Sequence, residues 1–152
     1  VYEIGVRAMF PGLIVVADGT AALDVLRARE VAVLLSDQRM PGMLGDTLLA
    51  ETARIAPRTI RVLITAFHEE DLEARVVQTG IAHEYVQKPV DPDVLGTVLR
   101  SALARYLHSA SVCDGLCDEP ACEDCPREID PEMERELGAL RAARIALLAE
   151  SA

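Results

Sequence analysis

Residues 34–49 read LLSDQRMPGMLGDTLL. An apolar run over residues 31–36 ends on the carboxylate of Asp37, and Pro41-Gly42 turns the chain straight afterwards. Helical spacing follows over residues 45–55, with Leu48, Leu49 and Ala53 inward and Pro57 marking the end. Neither chain neighbour of Asp37 is basic. An acid so placed can be a helix cap, a metal ligand or a nucleophile, and only the surrounding sequence can choose.

The same alternation extends in both directions. Residues 13–17 (LIVVA) are apolar and stop at Asp18-Gly19, and residues 20–29 have helical spacing. Downstream, TIRVLIT (59–65) reads as a strand, residues 69–79 as a helix stopping at Gly80, and residues 84–86 as a short strand before Lys88-Pro89. Asp91-Pro92 opens a last helix of this series, with Asp as N-cap and Pro at the first helical position. Continuous apolar strands alternating with helices imply a doubly wound parallel α/β sheet covered on both faces.

In such sheets chemistry gathers at the carboxyl ends of the strands. Asp37, Thr65 and Lys88 stand at three consecutive strand ends. A single Asp there is ordinarily a turn or cap residue. A carboxylate, a hydroxyl and an ammonium in series make a site.

The totals bound the function. The chain has 152 residues, 3% aromatics, no Trp and a net charge of −10. Residues 1–108 are net −3 and residues 109–152 net −7, so neither part offers the basic footprint that direct nucleic-acid binding needs. No apolar stretch approaches the roughly 20 residues of a membrane span, and no export leader is recognisable. The expectation is a cytoplasmic protein without membrane contact. The composition breaks near residue 108, because all four cysteines follow it. Three parts are therefore expected: 1–108, an acidic Cys-rich segment 109–130, and a C-terminal helix 131–152.

Three motifs together, SDQRMPGMLG around Asp37, ITA at residues 64–66 and YVQKP at residues 85–89, resemble the receiver domain of two-component response regulators, the CheY-like family. The likeness covers about residues 1–108. It implies a flavodoxin-like fold in which Asp37 accepts a phosphoryl group from a histidine kinase or phosphotransfer protein and switches a face that binds a downstream effector protein. It implies no enzyme in the metabolic sense, but a phosphorelay switch. Lys88 would neutralise one phosphoryl oxygen and Thr65 donate to another, since the transferred group carries its charge on equatorial oxygens. Mg²⁺ would be held by Asp37 and the backbone carbonyl of Arg39, hard oxygen donors suited to it. Thr65 and Tyr85 would form the switch, unless Tyr85 is simply a half-buried strand residue. Arg39 and Phe67 flank the site where the family tunes dephosphorylation, or are plain loop residues. A cis peptide is expected before Pro89.

One departure stands out. The family places an acid pair at the end of a strand farther upstream than these residues reach, and residues 1–10 read as the end of a helix. The first strand is thus expected to be missing, through truncation or true degeneracy. Its central place in the sheet would be a gap with unpaired backbone groups. Glu3 is the only acid before Asp18, so Mg²⁺ should bind weakly or not at all. A haloacid-dehalogenase-type phosphatase would need a second acid at residue 39, where Arg stands.

CDGLCDEPACEDC spans residues 113–125, spacing Cys113, Cys117, Cys122 and Cys125 by three, four and two residues. Zinc, an iron–sulfur cluster and unliganded or disulfide-forming thiols all remain open. Neighbouring acids would raise the thiol pKa values and argue against strongly reactive cysteines. Asp130-Pro131 repeats the capped start, so a helix is expected over residues 131–150, with Met133, Leu137, Leu140 and Leu147 as a stripe that Arg144 interrupts. It would pack on its own receiver or join two copies as a homodimer. Two functions from different classes follow: a phosphoacceptor switch, and a non-phosphorylated interaction module governed by metal or redox chemistry at the cysteines.

Overall fold

Apolar β-branched and leucine-rich runs bounded by turns form the strands, and each intervening amphipathic segment forms a helix. The computed structural model describes residues 12–66, 70–112 and 145–148. In chain order these hold β1 (Leu13–Val16), α1 (Gly19–Ala28), β2 (Val33–Asp37), α2 (Gly45–Ile55) and β3 (Ile60–Thr65), followed by α3 (Glu70–Gln78), β4 (Glu84–Gln87), α4 (Pro92–Val112) and β5 (Ile145–Leu148). The sheet order is β1-β5-β2-β3-β4. Every pairing is parallel.

Alternation along the strands sends side chains to two cores. On one face Val33, Leu35, Val62 and Ile64 meet Leu95, Leu99 and Leu103 of α4. On the other, Leu34 and Leu63 meet Leu23 and Leu26 of α1, Leu48 and Leu49 of α2, and Leu72 and Val76 of α3. Leu34, Leu48, Leu49 and Leu63 are wholly buried, each worth about 2–3 kcal/mol of apolar burial. The doubly wound architecture expected from the alternation is present.

Local signals explain where helices begin. The Asp18 carboxylate accepts from the Ala21 amide at 2.8 Å and caps α1, worth about 1 kcal/mol. Asp91 accepts from the Asp93 amide at 2.8 Å, with Pro92 as the first residue of α4. Helix α4 runs on through Val112, past the expected break at residue 108.

The C-terminal expectation needs correction. Residues 145–148, inside the stretch expected to be helix, form strand β5, and the rest of 131–152 lies outside the described residues. The central gap is also filled, since β5 pairs with β1 over four positions and with β2 over three. The reason is tertiary. Ile-Ala-Leu-Leu suits either a helix face or a strand covered on both sides. The open backbone edges of β1 and β2 favour the strand, because each buried N–H and C=O needs a partner. The cysteine cluster and residues 1–10, expected to end a helix, also lie outside the described residues.

Candidate functional site

Strand β2 delivers Asp37, β3 delivers Thr65, and the turn after β4 delivers Lys88, all at the carboxyl edge of the sheet. Lys88 Nζ lies 2.7 Å from Asp37 Oδ2. Both side chains are mostly buried, at 17% and 13% exposure, so the pair is less screened than a surface ion pair. The Arg39 amide donates to the other carboxylate oxygen, Asp37 Oδ1, at 3.3 Å. Asp37 is thus no helix cap. It is a carboxylate held between an ammonium and a backbone donor.

Register ties the strand ends together. Asp37 lies opposite Ile64, and the Gln38 amide donates to the Ile64 carbonyl at 2.9 Å. Thr65 lies opposite Gln87, and the Lys88 amide donates to the Thr65 carbonyl at 2.7 Å. The Lys88–Pro89 peptide is cis, as expected. Thr65 is 1% exposed. Tyr85 pairs with Leu63, two residues before Thr65, so Tyr85 and Thr65 share a sheet face. Tyr85 is half-buried against the core under α1–α3. Arg39 is exposed, while Phe67 lies outside the described residues.

Gln38 carried no signal in the sequence. Leu44, at the N-cap of α2, offers no side-chain cap. Gln38 replaces it, its backbone oxygen accepting from Gly45 N–H at 2.9 Å and its Oε1 from Asp46 N–H at 3.0 Å. Two orphan amides of the helix are so partnered from outside it. Gly42, at φ +79°, makes the turn between them. Asp46 also pairs with Arg75 of α3 at 2.7 Å, an exposed contact worth under about 1 kcal/mol.

Close packing makes Gly45 a sensitive position. A Cβ there would lie 2.4 Å from the Asp37 carbonyl oxygen and 2.9 Å from Gln38 Cα. Both are backbone atoms, so α2 or the end of β2 must move. Alanine is the better helix former by about 1 kcal/mol, yet Gly45→Ala is expected to lose about 2 kcal/mol net through overpacking. Urea unfolding measures it; a neutral or stabilising result would show that α2 does not press on the site.

A hard cation suits the chemistry of the donors, a carboxylate and the Arg39 carbonyl. Among the described residues no group of three or more His, Cys, Asp or Glu gathers to hold a metal. Two protein oxygens would leave most of an octahedral shell to water, and Asp37 Oδ2 already faces Lys88. A hollow of about 490 Å³ lies at the opposite, amino end of the strands, lined in part by Arg29, Glu30, Arg58 and Tyr106. There Tyr106 donates to Glu30, and Arg58 lies over its ring at 5.6 Å. It does not border Asp37.

No helix among the described residues is long and apolar enough to cross a membrane. Residues 9–100 match the family model described as the response regulator receiver domain. The hydrogenase transcriptional regulatory protein HoxA of Cupriavidus necator is 35% identical over 92 residues, covering 60% of this chain and 19% of that protein. The probable transcriptional regulatory protein NarL of Mycobacterium tuberculosis is 31% identical over 102 residues, covering 67% and 47%. The chain thus spans about a fifth of HoxA and about half of NarL. Among solved structures, the signal receiver domain of an HD domain-containing protein from Pseudomonas fluorescens Pf-5 aligns with TM-score 0.59 and 34% identity, covering 63% of this chain and 71% of that one. A CheY-like receiver domain protein from Methanospirillum hungatei aligns with TM-score 0.56 and 19% identity, covering 62% and 94%, which speaks to the fold alone. With its parallel α/β sheet and the Asp37–Lys88 pair at the sheet's carboxyl edge, the chain belongs to the response regulator receiver domains, a family of signalling domains rather than enzymes.

Proposed function

We propose that this chain receives a phosphoryl group on Asp37 from the phosphohistidine of a kinase or phosphotransfer protein and relays the change to an effector protein. The observation that carries the reading is the 2.7 Å contact of Lys88 with an Asp37 carboxylate at the sheet's ligand-binding edge. In the transfer an Asp37 oxygen attacks phosphorus, the P–O bond forms as the P–N bond breaks, and the imidazole leaves with the electron pair. Lys88 stabilises charge on the phosphoryl oxygens, and the Thr65 hydroxyl donates to another of them. Mg²⁺, when bound by Asp37 and the Arg39 carbonyl, supplies further neutralisation of that charge.

The alternative, a module switched at its cysteines without phosphorylation, gives no reason for a mostly buried Asp37–Lys88 pair at this edge. Incubation with a small acyl phosphate and Mg²⁺ tests the proposal. One phosphoryl group per chain, mapped to Asp37, is the expected product. No uptake at any Mg²⁺ concentration would leave the interaction-module reading in possession.

Thr65 and Tyr85 form the proposed switch. Thr65→Ala is expected to keep phosphoryl uptake while erasing the change at Tyr85, since the hydroxyl links the phosphoryl group to the shared sheet face. The NMR signals of the Tyr85 ring, compared before and after phosphorylation, report this directly. An unchanged Tyr85 response in phosphorylated Thr65→Ala contradicts the role.

A further inference from the structure

Gln38 is held at three points immediately after Asp37. Its amide donates to the Ile64 carbonyl of β3 at 2.9 Å, and its carbonyl accepts from the Gly45 amide at 2.9 Å. Its side-chain Oε1 accepts from the next amide of α2, that of Asp46, at 3.0 Å. Residues 39–44 thus form a loop closed at its base by one residue. The peptide between Gln38 and Arg39 links this closure to Asp37. That peptide is trans, so its carbonyl and its N–H point in opposite directions. With the carbonyl fixed on Gly45, the Arg39 N–H turns toward Asp37 and donates to Oδ1 at 3.3 Å. Lys88 holds the other oxygen, Oδ2, at 2.7 Å. Two donors on two oxygens fix the plane of the carboxylate.

We propose that the Gln38 side chain is a positioning residue for Asp37. By clasping the Asp46 amide it holds the 38–39 peptide in the plane that aims the Arg39 N–H at Oδ1, and so sets the orientation from which Asp37 attacks phosphorus. The inference rests on Asp37 as the phosphoacceptor. The end of α2 is the fixed body in this arrangement. Leu48 and Leu49 are wholly buried, and Gly45 leaves no room for a Cβ against the Asp37 carbonyl. Asp46 is itself anchored by Arg75 of α3 at 2.7 Å. Of the loop, Arg39, Pro41, Gly42 and Leu44 are exposed.

The second tie matters because of what a single one allows. A peptide plane held by one hydrogen bond can rock about it, whereas two adjacent amides gripped by one residue oppose that motion. The Asp37 carboxylate turns about its own terminal torsion, which is broad for aspartate. Without a well-aimed Arg39 N–H, Lys88 would have to orient it alone. Misorientation of a nucleophile costs rate rather than donor binding, because the bond forms only from a near-attack geometry.

Three substitutions in the full chain separate the acceptor oxygen from packing. Gln38→Met keeps the volume and removes the acceptor, and Gln38→Asn keeps the amide on a stem one methylene shorter. Gln38→Glu keeps an oxygen at the same reach, with a charge that the amino end of α2 favours. With an acyl phosphate as donor, Gln38→Met and Gln38→Asn should lower the maximal rate of uptake about tenfold and leave the half-saturating donor concentration unchanged. Gln38→Glu should return the maximal rate to within about threefold of wild type, while its charge raises the half-saturating concentration of the anionic donor. The Arg39 amide proton gives a reading that needs no phosphoryl transfer. Its NMR signal is drawn downfield by the bond to the carboxylate; it should move upfield in Gln38→Met and Gln38→Asn and stay in Gln38→Glu. A wild-type rate in Gln38→Met, an equal loss of maximal rate in Gln38→Glu, or an unmoved Arg39 signal overturns the proposal. If Gln38→Met does not fold, Gln38→Asn decides by the same readings. If the wild type takes up no phosphoryl group, the phosphoacceptor reading fails, and the Arg39 signal alone decides whether Gln38 orients Asp37.

Discussion

Asp37→Asn is expected to abolish phosphoryl uptake completely, whereas Lys88→Met should retain uptake and slow it by about 10²–10³-fold. The amide keeps the shape of the side chain, but its single oxygen can accept from only one of the two donors, the Lys88 ammonium on Oδ2 or the Arg39 amide on Oδ1. It lacks the charge and basicity that a nucleophile toward phosphorus needs. Loss of the counter-charge beside the mostly buried Lys88 also costs stability, about 1–3 kcal/mol, because some solvent still reaches both groups. In Lys88→Met the nucleophile remains while the charge on the phosphoryl oxygens goes without its ammonium. Intact mass after exposure to an acyl phosphate reads the uptake, and peptide mapping reads the site. Labelling of Asp37→Asn at another residue would move the phosphoacceptor elsewhere, and an unaffected rate in Lys88→Met would deny the ammonium its role.

The largest loss of stability is expected at Arg61, at the opposite end of the sheet from Asp37. Its guanidinium is buried at the start of β3 and donates to four carbonyls: Ile81 at 2.8 Å, Thr59 and Gly80 at 3.0 Å, and Pro57 at 3.3 Å. It so fastens the turn before β3 to the turn after α3. Burial pulls its pKa below the ordinary arginine value, with the nearby Arg105 charge adding to the effect. Arg61→Leu leaves those carbonyls without a donor, and about 3–5 kcal/mol should be lost. Arg61→Lys should rescue little, since one ammonium cannot reproduce the planar fork. A urea midpoint shifted by less than about 1 kcal/mol equivalent would show that water replaces the guanidinium without penalty.

The backbone of the same residue leads to a pH dependence. His83 Nδ1 accepts from the Arg61 backbone amide at 2.9 Å. Burial first, then the Arg61 and Arg105 charges, lowers the His83 pKa from 6.5 to about 4. The folded state therefore binds this proton less readily than the unfolded chain. The His83 contribution is complete above about pH 6.5 and is lost as pH falls toward 4. His83→Gln should flatten stability across that window, and an unchanged slope would assign the acid sensitivity to other groups.

Much of the site could be read along the chain, because its signals are local. Asp37, Thr65 and Lys88 each follow an apolar run, and the run itself says that the polar residue emerges at a strand end. Asp91-Pro92 and Pro41-Gly42 are equally local, since a cap and a turn depend on backbone angles a few residues apart. Gln38 gave no such sign. Its function as a cap for α2 exists only once the turn brings Gly45 and Asp46 back to it. Arg61 was equally silent, because four carbonyls from two separate turns converge on it only in the folded sheet. The C-terminal strand is the clearest case of a choice made in three dimensions. Ile145–Leu148 has a sequence fit for a helix or a strand, and periodicity alone favoured the helix. The slot that decides it is built by β1 and β2 more than one hundred residues earlier, from backbone groups that must be paired once they are buried. Local sequence determined the strand ends and their chemistry. Tertiary structure decided which segment completes the sheet, because hydrogen-bond demand at a buried edge is a property of the neighbours and not of the segment that answers it.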